Sequence, residues 1–110
     1  MPSKSRDKGY RYERKVVEWH QRNQVICERV PLSGGAGGSF SGDVVISETP
    51  LRGEVKARKD GQGFKKIEDW LGSNDMLFLY RDRKDPMVVL NPSTYIKLIQ
   101  AYHEQETNAD

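Results

Sequence analysis

The stretch GDVVISETPLRGEVKAR, residues 42–58, limits the fold more than any other part of the chain. Two β-prone runs flank a Glu48-Thr49-Pro50 turn signal, which predicts a hairpin with strands at 43–46 and 53–57. Residues i and i+2 of a strand share a face, so Glu54 and Lys56 point one way and Val55 the other. Asp43 opens the partner strand, and the hairpin can bring its carboxylate beside Glu54. A hairpin that merely filled a core would have no use for three charges at one mouth.

The rest of the chain sets the hairpin in an α/β frame. Tyr12, Val16, Val17 and Trp19 recur at helical spacing, which predicts a helix over 9–22 ended by Asn23. A strand is expected at 24–30, followed by the loop PLSGGAGGS, whose glycines favour mobility. After the hairpin, a helix is predicted over 64–71, with Phe64, Ile67, Trp70 and Leu71 on one face and Gly72 as its cap. Apolar strands follow at 76–80 and 87–90. A last helix opens at Pro92-Ser93, with Tyr95, Ile96, Leu98, Ile99 and Tyr102 inward. The order αβββαββα predicts one α/β domain over 1–110, a central mixed β-sheet flanked by helices, with a basic flexible segment at 1–8 and an acidic flexible tail at 104–110.

A chain of 110 residues can bury roughly two-thirds of its unfolded surface, enough for one core and not two. Mean hydropathy is −0.80, so that core should be thin. No apolar run approaches ~18 residues and the first residues lack a signal-peptide core, so the expected location is the cytoplasm, with no membrane partner. Cys27 is the single cysteine and reads as a small buried hydrophobe.

Charge is unevenly spread. Residues 1–30 carry eight Lys/Arg against four Asp/Glu, and residues 52–66 carry six against two, so each segment has an excess of four positive charges. Clusters of this kind suit a polyanion such as nucleic acid, and equally describe a solvated face.

Two nearby carboxylates repel unless a cation or proton lies between them, and Mg²⁺ favours one or two carboxylates plus phosphate oxygens. An ammonium two residues away could hold a water or stabilise charge on a phosphorane-like transition state. Asp43, Glu54 and Lys56 therefore match metal-assisted phosphodiester hydrolysis. Glu13 falls on the inward stripe of the first helix between Val16 and Val17, with His20 almost below it, whereas Glu18 points away. A carboxylate there must be paired, protonated or metal-linked. The choice is between a fourth member of the site and a salt bridge to a nearby Arg or Lys. His20 reads more simply as a hydrogen-bonded core residue than as a ligand. The Gly34–Gly38 run lacks the Gly-Lys-Ser/Thr ending of a phosphate loop, and one cysteine with two histidines cannot form a Cys-rich zinc site.

With Gly42-Asp43 in place of Pro-Asp, Glu54-Val55-Lys56 for (D/E)xK and Glu13 for the first-helix acid, the chain resembles the PD-(D/E)xK nuclease superfamily. It is most similar there to the archaeal-type Holliday junction resolvases and their small phage relatives. The shared segments are Gly9-Tyr10-Arg11-Tyr12-Glu13-Arg14 and Arg29-Val30-Pro31-Leu32-Ser33-Gly34. The resemblance covers residues 4 to about 72 and is only an outline beyond. It implies a restriction-endonuclease-like fold and a homodimer that makes paired nicks in branched DNA, acting in the host cytoplasm if phage-encoded. Asp43, Glu54 and Glu13 would bind Mg²⁺, with Mn²⁺ able to substitute, and Lys56 would act on the attacking water and scissile phosphate. Arg14, Arg29, Ser33, Arg11, Lys8 and Arg58 would contact DNA. A nuclease acting on flaps, nicks or duplex sites is the enzyme alternative, and a non-catalytic DNA-binding module is the alternative outside enzymes.

Overall fold

In a computed structural model of the chain, the structure describes residues 4–30 and 43–108. The described elements are α1 (Lys4–Arg22), β1 (Cys27–Arg29), β2 (Val44–Ile46), β3 (Arg52–Gly53), α2 (Phe64–Leu71), β4 (Met76–Leu79), β5 (Met87–Leu90) and α3 (Pro92–Asn108). Among the described residues the molecule is α/β, with three helices. Its strands form two small antiparallel sheets, β1-β2-β3 and β4-β5, rather than one mixed sheet. The chain divides into two compact units, Met1–Ala57 and Arg58–Asp110.

In the first unit α1 starts five residues before the expected position, so part of the segment expected to be flexible is helical. Its half-buried stripe contains Tyr12, Glu13, Val16 and Val17, while Glu18 is exposed. The helix ends in a Schellman arrangement. The Gln24 N–H donates to the Gln21 carbonyl (3.0 Å) and the Val25 N–H to the His20 carbonyl (2.9 Å), with Gln24 at φ 64°. That left-handed position usually takes glycine, because a Cβ there crowds the following carbonyl. Gln24→Gly is accordingly expected to stabilise the unit by up to about 1 kcal/mol, read by urea denaturation, and a lower midpoint would show that the Gln24 side chain does more than it costs.

The reversal at Gln24 delays the strand expected from residue 24 until Cys27. β1 then pairs with β2 in the register Cys27↔Ile46 to Arg29↔Val44. The inward positions Val25, Cys27, Val44 and Ile46 are buried with His20, and Cys27 is fully enclosed. Burial, then the neighbouring Glu28 carboxylate, pushes the Cys27 thiol up from its ordinary value of 9.0, in keeping with a packing role. The His20 Nδ1–H donates to the Val16 carbonyl (2.7 Å), which makes it the hydrogen-bonded core residue expected.

The β2–β3 turn is locked by Thr49, whose hydroxyl donates to the Ile46 carbonyl (2.7 Å) and accepts from the Leu51 N–H (3.1 Å). β3 pairs Val44 with Gly53, and a Cβ at Gly53 would lie 3.1 Å from a Val44 methyl carbon. Glycine therefore permits the close approach of the two strands where the acids of the hairpin begin.

In the second unit α2 has the expected bounds and Gly72 caps it at φ 52° with its N–H on the Glu68 carbonyl (2.9 Å). Ile67 and Leu71 are half-buried, but Phe64 and Trp70 are exposed, so the expected four-residue face narrows to two. β4 and β5 pair from Met76↔Leu90 to Leu79↔Met87. Asn91 caps α3 by accepting the Ser93 N–H on its side chain (2.9 Å), and Pro92 takes the first helical position, where no N–H is needed. Ile96 and Ile99 of α3 are buried. Leu98 and Tyr102, expected inward, are exposed: residue 98 lies about 100° from 99 and 200° from 96 on the helical wheel.

Candidate active site

Asp43 stands immediately before β2, between the two outer strands of the first sheet. Its carbonyl accepts the Val30 N–H on one side (2.9 Å), and its own N–H donates to the Gly53 carbonyl on the other (2.7 Å). Its side chain completes the link. Asp43 Oδ2 accepts the Val55 N–H at 2.7 Å, so the main chain and the carboxylate of one residue bracket Glu54. The β2–β3 register, extended by one step from Val44↔Gly53, puts Asp43 at the level of Glu54.

Regular strand structure ends at Gly53, four residues short of the expected limit. The alternation of an extended chain nevertheless persists: Glu54 and Lys56 are exposed, and Val55 and Ala57 are half-buried. Lys56 Nζ lies 3.4 Å from Glu54 Oε1, which places the two charges on one side. The expected shared face is therefore present, held by a side-chain bond from Asp43 in place of a longer ladder.

Glu13 takes a different partner. Its carboxylate, 15% exposed, accepts from Arg29 Nε at 3.1 Å, an ion pair between α1 and β1. The salt bridge that an inward glutamate could make is therefore present. Among the described residues no three His, Cys, Asp or Glu side chains are grouped so as to hold a metal ion. Asp43 and Glu54 are the carboxylates at this end of the hairpin, and Mg²⁺ is commonly held by one or two carboxylates with water and phosphate completing its shell. Asp43 Oδ2 is committed to Val55, which leaves Oδ1 as the oxygen available to a cation.

The basic candidates are dispersed. Arg14 is exposed on α1. Arg11 is also exposed, with its guanidinium 5.5 Å from the centre of the Tyr12 ring, while Lys15 approaches the same ring at 4.7 Å. Lys8 belongs to the first half of α1. Arg58 opens the second unit and, with residues up to Gly63, borders a surface hollow of about 390 Å³. Ser33, the glycine-rich loop and Gly42 lie outside the described residues.

Two features of the site were not anticipated from the residues. The Val55 N–H is a main-chain group that every residue except proline offers, so its use by Asp43 leaves no mark in the sequence. Tyr10 carries no charge or metal-ligating group that marks it in the sequence, yet the centre of its ring lies 4.8 Å from the Arg29 guanidinium carbon. The i, i+3 spacing of Tyr10 and Glu13 on a helix was the available signal.

Comparisons with protein-family models, curated proteins and solved structures find no match for this chain.

Proposed function

We propose that this chain is a Mg²⁺-dependent, structure-specific DNA endonuclease, a four-way junction resolvase that acts as a homodimer in the cytoplasm. The observation that carries the reading is the Asp43 Oδ2 to Val55 N–H bond, which ties the first acid of the motif to the extended segment bearing Glu54 and Lys56. The sequence resemblance supplies the substrate class, and a junction offers two strands to cut, for which a two-fold dimer is the simplest arrangement. Among the described residues no helix is long and apolar enough to cross a membrane.

When bound, Mg²⁺ supplies Lewis-acid stabilisation of phosphate charge and a water of lowered pKa. Asp43 and Glu54 provide the carboxylates that hold it, and the Val55 bond fixes the Asp43 side chain before substrate arrives. Lys56, whose Nζ lies 3.4 Å from Glu54 Oε1, would donate to the attacking water or to a non-bridging phosphate oxygen. In the reaction one P–O bond to water forms and one P–O bond of the DNA backbone breaks, so the developing charge lies on phosphate oxygens that an ammonium can stabilise.

The test is cleavage of a synthetic four-way junction against a linear duplex of the same sequence, each with Mg²⁺ or EDTA. Paired nicks in the junction alone, dependent on Mg²⁺, are expected. Equal cutting of both substrates would identify a less selective nuclease, and binding without cleavage would identify a DNA-binding module.

A further inference from the structure

The Arg29 guanidinium is held on two sides by α1. Its Nε donates to Glu13 Oε1, and its carbon lies 4.8 Å from the centre of the Tyr10 ring. Tyr10 and Glu13 are one turn apart on the same face of the helix, so β1 sends one side chain into a clamp with an aromatic jaw and an acidic jaw. An arginine whose only duty is to neutralise a carboxylate commonly offers its paired N–H groups to both oxygens. Here Glu13 takes Nε, and among the described residues the terminal Nη groups donate to no partner. The Arg29 side chain is 38% exposed. Its neighbour Val30 is bonded through its N–H to Asp43, so Arg29 is one residue along β1 from the candidate site, with its side chain on the α1 side of the sheet.

We propose that Tyr10 is a positioning residue, which with Glu13 fixes the Arg29 guanidinium so that its Nη groups grip a backbone phosphate of the bound DNA. The inference rests on the nuclease reading and adds to it a role for Tyr10 and a second duty for Glu13. A planar guanidinium set over a ring with its Nε engaged has lost much of its rotamer freedom before binding, so less is lost when the phosphate arrives. The ring also retains the cation when the acid alone would be screened by salt.

Four-way junction binding should be measured in Ca²⁺ or EDTA across a salt series for wild type, Tyr10→Phe, Tyr10→Leu, Arg29→Ala and the Tyr10→Leu/Arg29→Ala double variant. Tyr10→Leu should bind about five-fold more weakly. It should also lose up to about one unit of the log K against log[salt] slope, as Arg29→Ala should. The double variant should be no weaker than Arg29→Ala, and Tyr10→Phe, which keeps the ring, should match wild type. Wild-type affinity and slope in Tyr10→Leu, beside a weakened Arg29→Ala, would overturn the inference while leaving the nuclease reading intact. Failure of the wild-type protein to bind the junction would remove both. Should Tyr10→Leu not fold, the Arg29 δ-methylene proton shifts of the wild type decide the matter: upfield displacement by the ring is expected, and ordinary values would overturn the stack.

Discussion

Glu54→Gln is expected to cut junction cleavage by well over about 100-fold, more than is lost when an outer-shell partner of a metal ligand is removed. Junction binding in Ca²⁺ should persist or tighten, because a negative charge next to the phosphate path has gone. The substitution isolates chemistry well because Glu54 is 54% exposed and its ion pair with Lys56 is exposed too. An exposed pair of this kind contributes about 0–1 kcal/mol, so the melting curve should barely move. Single-turnover cleavage and a thermal melt on the same preparation check both halves. Wild-type cleavage by the variant would remove Glu54 from the proposed site, and with it the motif on which the nuclease reading depends.

What could be read in the residues depended on how local its cause was. The bounds of α2 and β5 matched the expectation because Gly72, the apolar run and Asn91-Pro92 fix them within a few residues. The inward position of Glu13 was legible from helical spacing, but its partner was not. Arg29 comes from a strand sixteen residues away, and the choice between metal and arginine depends on a long-range approach. The hairpin shows the same division. Its two halves and the shared side of Glu54 and Lys56 follow from period-two alternation, whereas the end of the ladder at Gly53 reflects a competition between a side chain and the backbone for one N–H. Apolar runs and alternation also predicted strands without stating how they would assemble, which is why one mixed sheet was expected where the described strands form two antiparallel sheets.

Because Asp43 both offers a carboxylate to a cation and holds the Val55 N–H, its substitutions should separate chemistry from stability. Asparagine keeps an oxygen that can accept from Val55 at the present 2.7 Å but loses the charge. Alanine loses both and strands a partly buried N–H, a cost of about 1–3 kcal/mol. Among the described residues the regular ladder has already ended at Gly53, so no ladder bond takes over the Val55 N–H. Both variants should therefore fail to cleave junctions, while Asp43→Asn unfolds in urea close to wild type and Asp43→Ala unfolds earlier by that margin. Binding to an uncleaved junction in Ca²⁺ should survive in Asp43→Asn and weaken in Asp43→Ala as the extended segment bearing Glu54 and Lys56 loosens. Equal stabilities of the two variants would mean that the Asp43–Val55 bond does not hold the segment. Active cleavage by Asp43→Asn would mean that the charge of Asp43 is not what the reaction uses.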